Sequence, residues 1–269
     1  MFKPSPPIVL TIACSDSSGG AGIQADIKSI SATGGYACSV ITALTAQNTQ
    51  GVSGIHSVPV DFVEQQLDSV FSDLNVIAVK VGMLNDAQII KSVARRLRQY
   101  QPQYLVVDPV MVATSGDKLL EDSVVETLKQ ELIPLATLIT PNLPEAAVLT
   151  GLDLPENEDD MVAMTDALKA TDALNILLKG GHLETDDSST DLLITSQKIS
   201  RFSAKRHASK NTHGTGCTIS SAIASYLAQG QPLEQAVSMA KNYITKAIAH
   251  ADELEVGNGR GPVHHFYTD

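Results

Sequence analysis

The stretch IVLTIACSDSSGGAGIQADIKSISATGG, residues 8–35, holds the transition on which the fold turns. Ile8 to Cys14 is a continuous apolar run with β-branched residues, the pattern of a strand buried on both faces of a parallel sheet. SDSSGG interrupts it with turn-forming residues. AGIQADIKSISA then has helical spacing and stops at a glycine pair.

The same alternation continues along the chain. VIAVKVG (Val76 to Gly82), YLVVDPVM (Tyr104 to Met111), TLITPN (Thr137 to Asn142) and NILLKGG (Asn175 to Gly181) repeat the strand pattern. Amphipathic stretches lie between them at Phe62 to Leu74, Asp86 to Tyr100, Leu119 to Leu132, Leu143 to Thr150 and Asp159 to Thr171. This rhythm implies an α/β fold with a doubly wound, mostly parallel central sheet and helices on both faces. Two segments break it. Residues 36–59 are strand-like with a turn near Gly51, and TDLLITSQKISRFSAKR reads as a hairpin around Ser196 to Lys198. Both imply antiparallel strands that form a small β appendage or lid. Thr215 to Ala249 reads as two helices, and PENEDDM as an acidic, solvated loop and helix start. The expectation is one domain over residues 1–269.

Composition narrows the function. Hydrophobic residues make up 43% of the 269 and charged residues 18%, an ordinary globular balance. The formal net charge of −11 argues against nonspecific nucleic-acid binding, which needs clustered Lys and Arg. Three cysteines make no disulfide framework and no C-x-x-C, and Cys14 and Cys38 read as small core or pocket-wall residues. No apolar run approaches the roughly 20 residues of a membrane span. The expected setting is the cytoplasm.

In open α/β sheets ligands bind beyond the carboxyl ends of the strands. The polar clusters SDSSGG, VGM, DPV, TPNLPE and KGGH all fall at such ends. HGTGC, residues 213–217, opens a helix, so the backbone N–H groups of Gly214, Thr215 and Gly216 with the positive helix end form an anion hole. Cys217 sits on the first turn, where a lowered pKa is expected. Otherwise it is a small buried residue. Asn142 and Glu145, three apart at a helix start, share one face and offer oxygen ligands for Mg2+ with intervening water. The alternative is a cap with a first-turn Glu. Asp108 ends a buried strand and would add charge near such a metal. Lys179 closes another buried strand, where an ammonium meets nucleotide phosphate. Asp26 faces the loop after the first strand, or is a surface helix residue. Gln47 has an amide that both donates to and accepts from a heterocycle. The histidines have no zinc spacing.

IACSDSSGGAGIQADIKSISATGGYACSVITALTAQNT, VKVGML, VVDPVM, LITPNLPEA, LLKGGH, NTHGTGCTISSAIA and the closing GPVHHF follow one another in order. Over nearly the whole chain this set resembles the hydroxymethylpyrimidine/phosphomethylpyrimidine kinases of thiamine biosynthesis, in the ribokinase-like superfamily. The resemblance implies two successive ATP-dependent phosphorylations, of the hydroxymethyl group and then of the monophosphate. It implies that Gly214, Thr215, Gly216 and Cys217 form the anion hole and catalytic turn. Asp26 and Gln47 would contact the pyrimidine, with Gly22, Met83 and Val110 as wall. Lys179, Asn142 and Thr212 would lie by ATP, and Glu145, Asn142 and Asp108 by Mg2+. It also implies a homodimer. Many sugar kinases of the superfamily carry Asp at the place of Cys217, so the resemblance implies that the thiol stands at the position of the base. A related pyridoxal kinase is a close alternative. A non-catalytic binding protein is disfavoured by the metal site, and a cysteine hydrolase would need His213 paired with Cys217.

Overall fold

The structure is a computed structural model, and it describes residues 5–111, 120–181, 183 and 188–267. Leu119, the expected start of a helix, and His182 of KGGH lie outside the described residues.

The strands are β1 (Ile8–Asp16), β2 (Tyr36–Asn48), β3 (Gly51–Ser57), β4 (Val76–Val81), β5 (Tyr104–Val107), β6 (Leu138–Ile139), β7 (Ile176–Lys179), β8 (Ser188–Ile194) and β9 (Ile199–Lys205). The helices are α1 (Gly22–Ala32), α2 (Val60–Asp73), α3 (Ala87–Tyr100), α4 (Asp122–Glu131), α5 (Leu143–Thr150), α6 (Glu158–Ala163), α7 (Thr165–Lys169), α8 (Thr215–Ala228) and α9 (Leu233–Ala249). All nine strands join one sheet in the order β3-β2-β1-β4-β5-β6-β7-β8-β9. β2, β1, β4, β5, β6 and β7 run parallel, while β3, β8 and β9 are antiparallel additions at the two edges. The expected appendages are therefore continuous with the main sheet. Only the distal half of β2 with β3 projects as a ribbon, and nearly all of β3 is exposed.

Side chains alternate between the faces of each strand. Leu10, Val79, Val107 and Leu178 pack with Leu67, Ile90, Val125 and Leu168 on one side. Val9, Ala78, Val106 and Leu177 pack with Ile30, Ile223, Val237 and Ile244 on the other. The winding reverses at β1, which has β2 on one side and β4 on the other. The strand carboxyl ends at this reversal are where an open α/β sheet takes its ligands.

After α9 the chain makes a short turn at Ala251–Glu253 and crosses back over the site end of the sheet. Arg260 N–H donates to the Thr49 carbonyl on the ribbon turn (2.9 Å), and Gly259 N–H to Thr49 Oγ1 (3.1 Å). Gly261 N–H donates to Asn211 Oδ1 (2.9 Å), and His213 N–H to the Gly261 carbonyl (3.1 Å). This strap ties the ribbon to the loop that leads into α8. Among the described residues no helix is long and apolar enough to cross a membrane.

Candidate active site

Four strand ends and the start of α8 converge. β5 runs into Asp108, β6 into Thr140, β7 ends at Lys179, and β4 runs into Gly82 and Met83. Asp108 is buried, and its Oδ1 accepts from Lys179 Nζ (2.8 Å) and Thr140 Oγ1 (2.9 Å). Burial opposes ionisation of Asp108, but the ammonium groups of Lys179 and Lys80 prevail and hold its carboxyl below the usual range. This ion pair lies directly against α8. A Cβ on Gly216 would stand 3.3 Å from Lys179 Nζ and 3.4 Å from Asp108 Oδ2, so a bare backbone lets the helix start approach the pair. Gly214 precedes α8 at φ 79°, and a Cβ there would overlap the Gly20 carbonyl. Thr212 contributes through its carbonyl, which accepts from Thr215 Oγ1 (2.6 Å) and Thr215 N–H (3.3 Å). The first-turn N–H groups of α8 are thus aimed past the Lys179–Asp108 pair.

Asn142 and Glu145 form a capping box at α5. Asn142 Oδ1 accepts from Glu145 N–H, and Glu145 Oε2 from Asn142 N–H, both at 2.8 Å. Asn142, expected beside ATP and metal, has its side-chain oxygen committed to this helix end. Glu145 is pushed up to about 7. Burial is the main cause, the Asp108 charge adds to it, and Lys179 and the N–H groups of Asn142 and Met111 oppose it. Asp191 anchors the turn after Lys179: it accepts from Gly180 N–H (3.0 Å) and pairs with Lys241 (2.7 Å).

Cys217 departs from expectation. Its thiol is pushed up to about 12 instead of down. The residue is only half-buried by exposed surface, but desolvation by the protein packed around the sulfur dominates, the carboxylates of Asp26 and Asp108 add to it, and Lys80 and the Gly22 N–H only partly offset it. The resting group is a thiol.

Asp26 also departs from expectation. It has no exposed surface, and both of its oxygens lie 2.9 Å from Lys80 Nζ. Thr11 Oγ1 (2.6 Å) and Ser221 Oγ (2.7 Å) donate to it as well. It therefore joins α1, β1, β4 and α8 behind Cys217 and offers no oxygen to a ligand. A charge this far from water needs a full set of partners, and Lys80, itself completely buried, supplies the opposite charge.

On the other side of α8, Gln47 is half-buried at the end of β2, with His213 and Asp16 beside it. Met83 and Val110 are half-buried at neighbouring strand ends, and Gly22 bridges to Ser15 at the start of α1. Cys14, buried, donates weakly to the Met83 carbonyl (3.4 Å).

The phosphomethylpyrimidine kinase family model matches residues 16–264. The chain belongs to this family. It is 52% identical over 260 residues to hydroxymethylpyrimidine/phosphomethylpyrimidine kinase from Rhizobium meliloti, covering 97% of each chain. It is 54% identical to the thiamine biosynthesis bifunctional protein ThiED of Geobacter sulfurreducens, spanning 96% of this chain but only 52% of that longer one. The crystal structure of phosphomethylpyrimidine kinase from Clostridium difficile superposes with a TM-score of 0.80 at 44% identity, over 90% of this chain and 99% of that one. A pyridoxal kinase from Staphylococcus aureus, solved with AMP-PCP and pyridoxal, superposes with a TM-score of 0.89 at 33% identity, over 98% and 95%. The ribokinase-like α/β fold read from the sequence is the fold of these neighbours.

The motif reading left Lys80 and Asp16 without a role and weighed His213 only as a partner for Cys217. Lys80 had a signal, since a lysine inside the apolar run VIAVKVG needs a buried partner as Lys179 does. Asp16 stood in SDSSGG at the end of the first strand. The contacts of His213 with Gln47 and Asp16 gave no signal, because those residues lie 166 and 197 positions away.

Proposed function

We propose that this chain transfers the γ-phosphoryl group of ATP to the hydroxymethyl oxygen of 4-amino-5-hydroxymethyl-2-methylpyrimidine, and then to the resulting monophosphate, giving the diphosphate used in thiamine biosynthesis. The observation that carries the reading is the start of α8 lying against the Lys179–Asp108 pair, with Gly216 bare between them. Phosphoryl transfer is mostly positioning and charge stabilisation. The first-turn N–H groups of α8 would receive charge building on the γ-phosphoryl oxygens. Lys179 would neutralise phosphate, and Cys217, as a thiol, would position the acceptor oxygen. Gln47 would read the ring.

The donor set suits Mg2+. Among the described residues no three His, Cys, Asp or Glu groups form a ready cage. Asp108 and Glu145 are neighbouring carboxyl groups beside the Lys179 ammonium, and the raised pKa of Glu145 marks a place where a further cation would stabilise its ionised, oxygen-ligand form. Asp108 and Glu145 would hold the ion through water. When bound, it would neutralise phosphate charge during transfer. The three cysteines are free, as suits a reducing cytoplasm. The exposed Leu44, Val52 and Ile55 of the β2–β3 ribbon favour a homodimer.

The test is mass spectrometry of products formed from ATP, Mg2+ and hydroxymethylpyrimidine. Successive mono- and diphosphate are expected. Phosphorylation of pyridoxal alone would favour the second reading, a pyridoxal kinase, which the close superposition on such kinases supports.

A further inference from the structure

Asp16, His213 and Gln47 form a chain of polar contacts of which the proposed function uses only Gln47. Asp16 Oδ2 accepts from Gly20 N–H (3.1 Å) and Ala21 N–H (2.8 Å), while Oδ1 accepts from Ser18 N–H (2.8 Å) and Ser18 Oγ (2.7 Å). Burial alone would raise its pKa, but the bonds from His213, Ser18 and Ala21 outweigh it and hold the carboxyl at about 2. Asp16 is a carboxylate and can only accept. His213 Nε2 lies 2.9 Å from Asp16 Oδ2 and so carries a proton.

That proton fixes more than the imidazole. Gln47 has its amide nitrogen 3.3 Å from His213 Nε2 and its amide oxygen 3.0 Å from Thr45 Oγ1. In this orientation two N–H groups face each other at His213. Thr45 has a single hydroxyl proton, yet it faces both the Gln47 oxygen and the Ser15 carbonyl (2.9 Å). Which end of an amide bears oxygen is decided by its hydrogen-bond network. A half-turn of the amide removes both conflicts. The oxygen then shares the one Nε2–H of His213 with Asp16 Oδ2, as the longer arm of a three-centre bond (3.3 Å against 2.9 Å), the nitrogen donates to Thr45 Oγ1, and Thr45 donates to Ser15. One lone pair and one N–H of the amide remain for a ligand, and they stand in a fixed order.

We propose that His213, held by Asp16, is a specificity-determining positioning residue that locks the Gln47 amide in one orientation and so decides which donor–acceptor edge of a heteroaromatic alcohol is accepted. This rests on Gln47 being the ring contact. The locked amide accepts from an exocyclic amine and donates to the adjacent ring nitrogen, the edge of a 4-aminopyrimidine. A 4-oxopyrimidine presents the reverse edge, acceptor beside N–H. A site built to hydrogen-bond one pattern rejects its mismatch, because buried polar groups are left unpaired. Released from His213, the amide can turn to suit either ring.

The experiment compares kcat/KM for 4-amino-5-hydroxymethyl-2-methylpyrimidine and its 4-oxo counterpart. The proteins are the parent, His213→Phe, Gln47→Ala and the double variant. Phe keeps a planar ring against Gly20, where His213 packs. His213→Phe is expected to lower the amino-over-oxo preference by about tenfold or more, the value of one misplaced hydrogen bond, with the KM for ATP unchanged. In the Gln47→Ala background it should change the preference no further. An unchanged preference in His213→Phe, or an equal fall with and without Gln47, overturns the proposal. A Gln47→Ala protein that keeps the parent's preference overturns it at its premise while leaving the kinase reading intact. If the parent phosphorylates neither compound, the proposed function falls instead. The same ratio is then read from dissociation constants by calorimetry, and the same outcomes decide.

Discussion

At Cys217 two influences compete. A helix N-terminus favours a thiolate, while burial beside Asp26 and Asp108 disfavours it, and burial prevails. At pH 7.5, iodoacetamide should therefore alkylate Cys217 in the ligand-free chain at least ~10²-fold more slowly than an unperturbed thiol. Peptide mass spectrometry over time gives the rate, and alkylation at the speed of a free thiol would refute the raised pKa. Cys217→Ala should slow transfer to the alcohol by roughly 10- to 100-fold, the loss of one positioning contact. Transfer to the monophosphate should suffer less, because its oxygens are already ionised near neutral pH. Assays started separately from each acceptor measure the two steps, and equal losses would mean that Cys217 shapes the anion hole for both. Residue identity was legible where a polar group closes an apolar strand, as at Asp108 and Lys179. It was illegible where the partner is distant. Asp26 looked like a ligand contact because the register that sets Lys80 beside it is a property of the assembled sheet and helices.

Among the elements, α5 is the one whose sequence served two readings, cap and metal site. The capping box is present, so Asn142→Ala should cost about 1 kcal/mol of stability, the usual value of an N-cap. Urea unfolding with the slope unchanged would report it. Activity falling well beyond that loss would show that orienting Glu145 matters to catalysis as well. Boundaries were legible where turn chemistry marks them: the reading of Leu143 to Thr150 coincides with α5, which ends before Gly151 in a left-handed conformation. They failed where tertiary packing decides. Asp159 to Thr171 read as one helix but divides at Met164 into α6 and α7, where Thr165 Oγ1 bonds the Val162 carbonyl. TLITPN read as a full strand, but β6 has only two residues: Thr140 N–H still donates to the Val107 carbonyl (3.0 Å) and the Pro141 carbonyl accepts from Lys179 N–H (2.9 Å), but Pro141 has no N–H with which to continue the ladder.

For the whole molecule, the alternation of buried strands and amphipathic helices made the layered fold readable, whereas strand order and the placing of β8 and β9 in the main sheet depend on pairings that local pattern does not encode. One molecular property follows from His265, which sits against Thr218 on α8 (3.0 Å). Burial, with the nearby charges of Lys28 and His264, lowers its pKa to about 4 from an ordinary value of 6.5. Between those values the unfolded chain binds the extra proton and the folded chain does not. Stability from this group is therefore complete above pH 6.5 and declines as pH falls towards 4. Thermal melts of the parent should show that slope, and His265→Gln should flatten it; an unaltered slope would assign it elsewhere. Below about pH 4 the loss should continue as Asp16 protonates. The strap adds a consequence in time. It joins Thr49 to Arg260 and Asn211 to Gly261, so the ribbon that carries Gln47 and the loop that carries His213 are held by one late segment. During synthesis on the ribosome the sheet can begin to form as its strands emerge, but this side of the pocket has no fixed shape until residue 262 has left the exit tunnel. Ligand binding on this side thus waits for a segment made long after the ribbon it holds, and substrate cannot act as a folding template for the earlier strands.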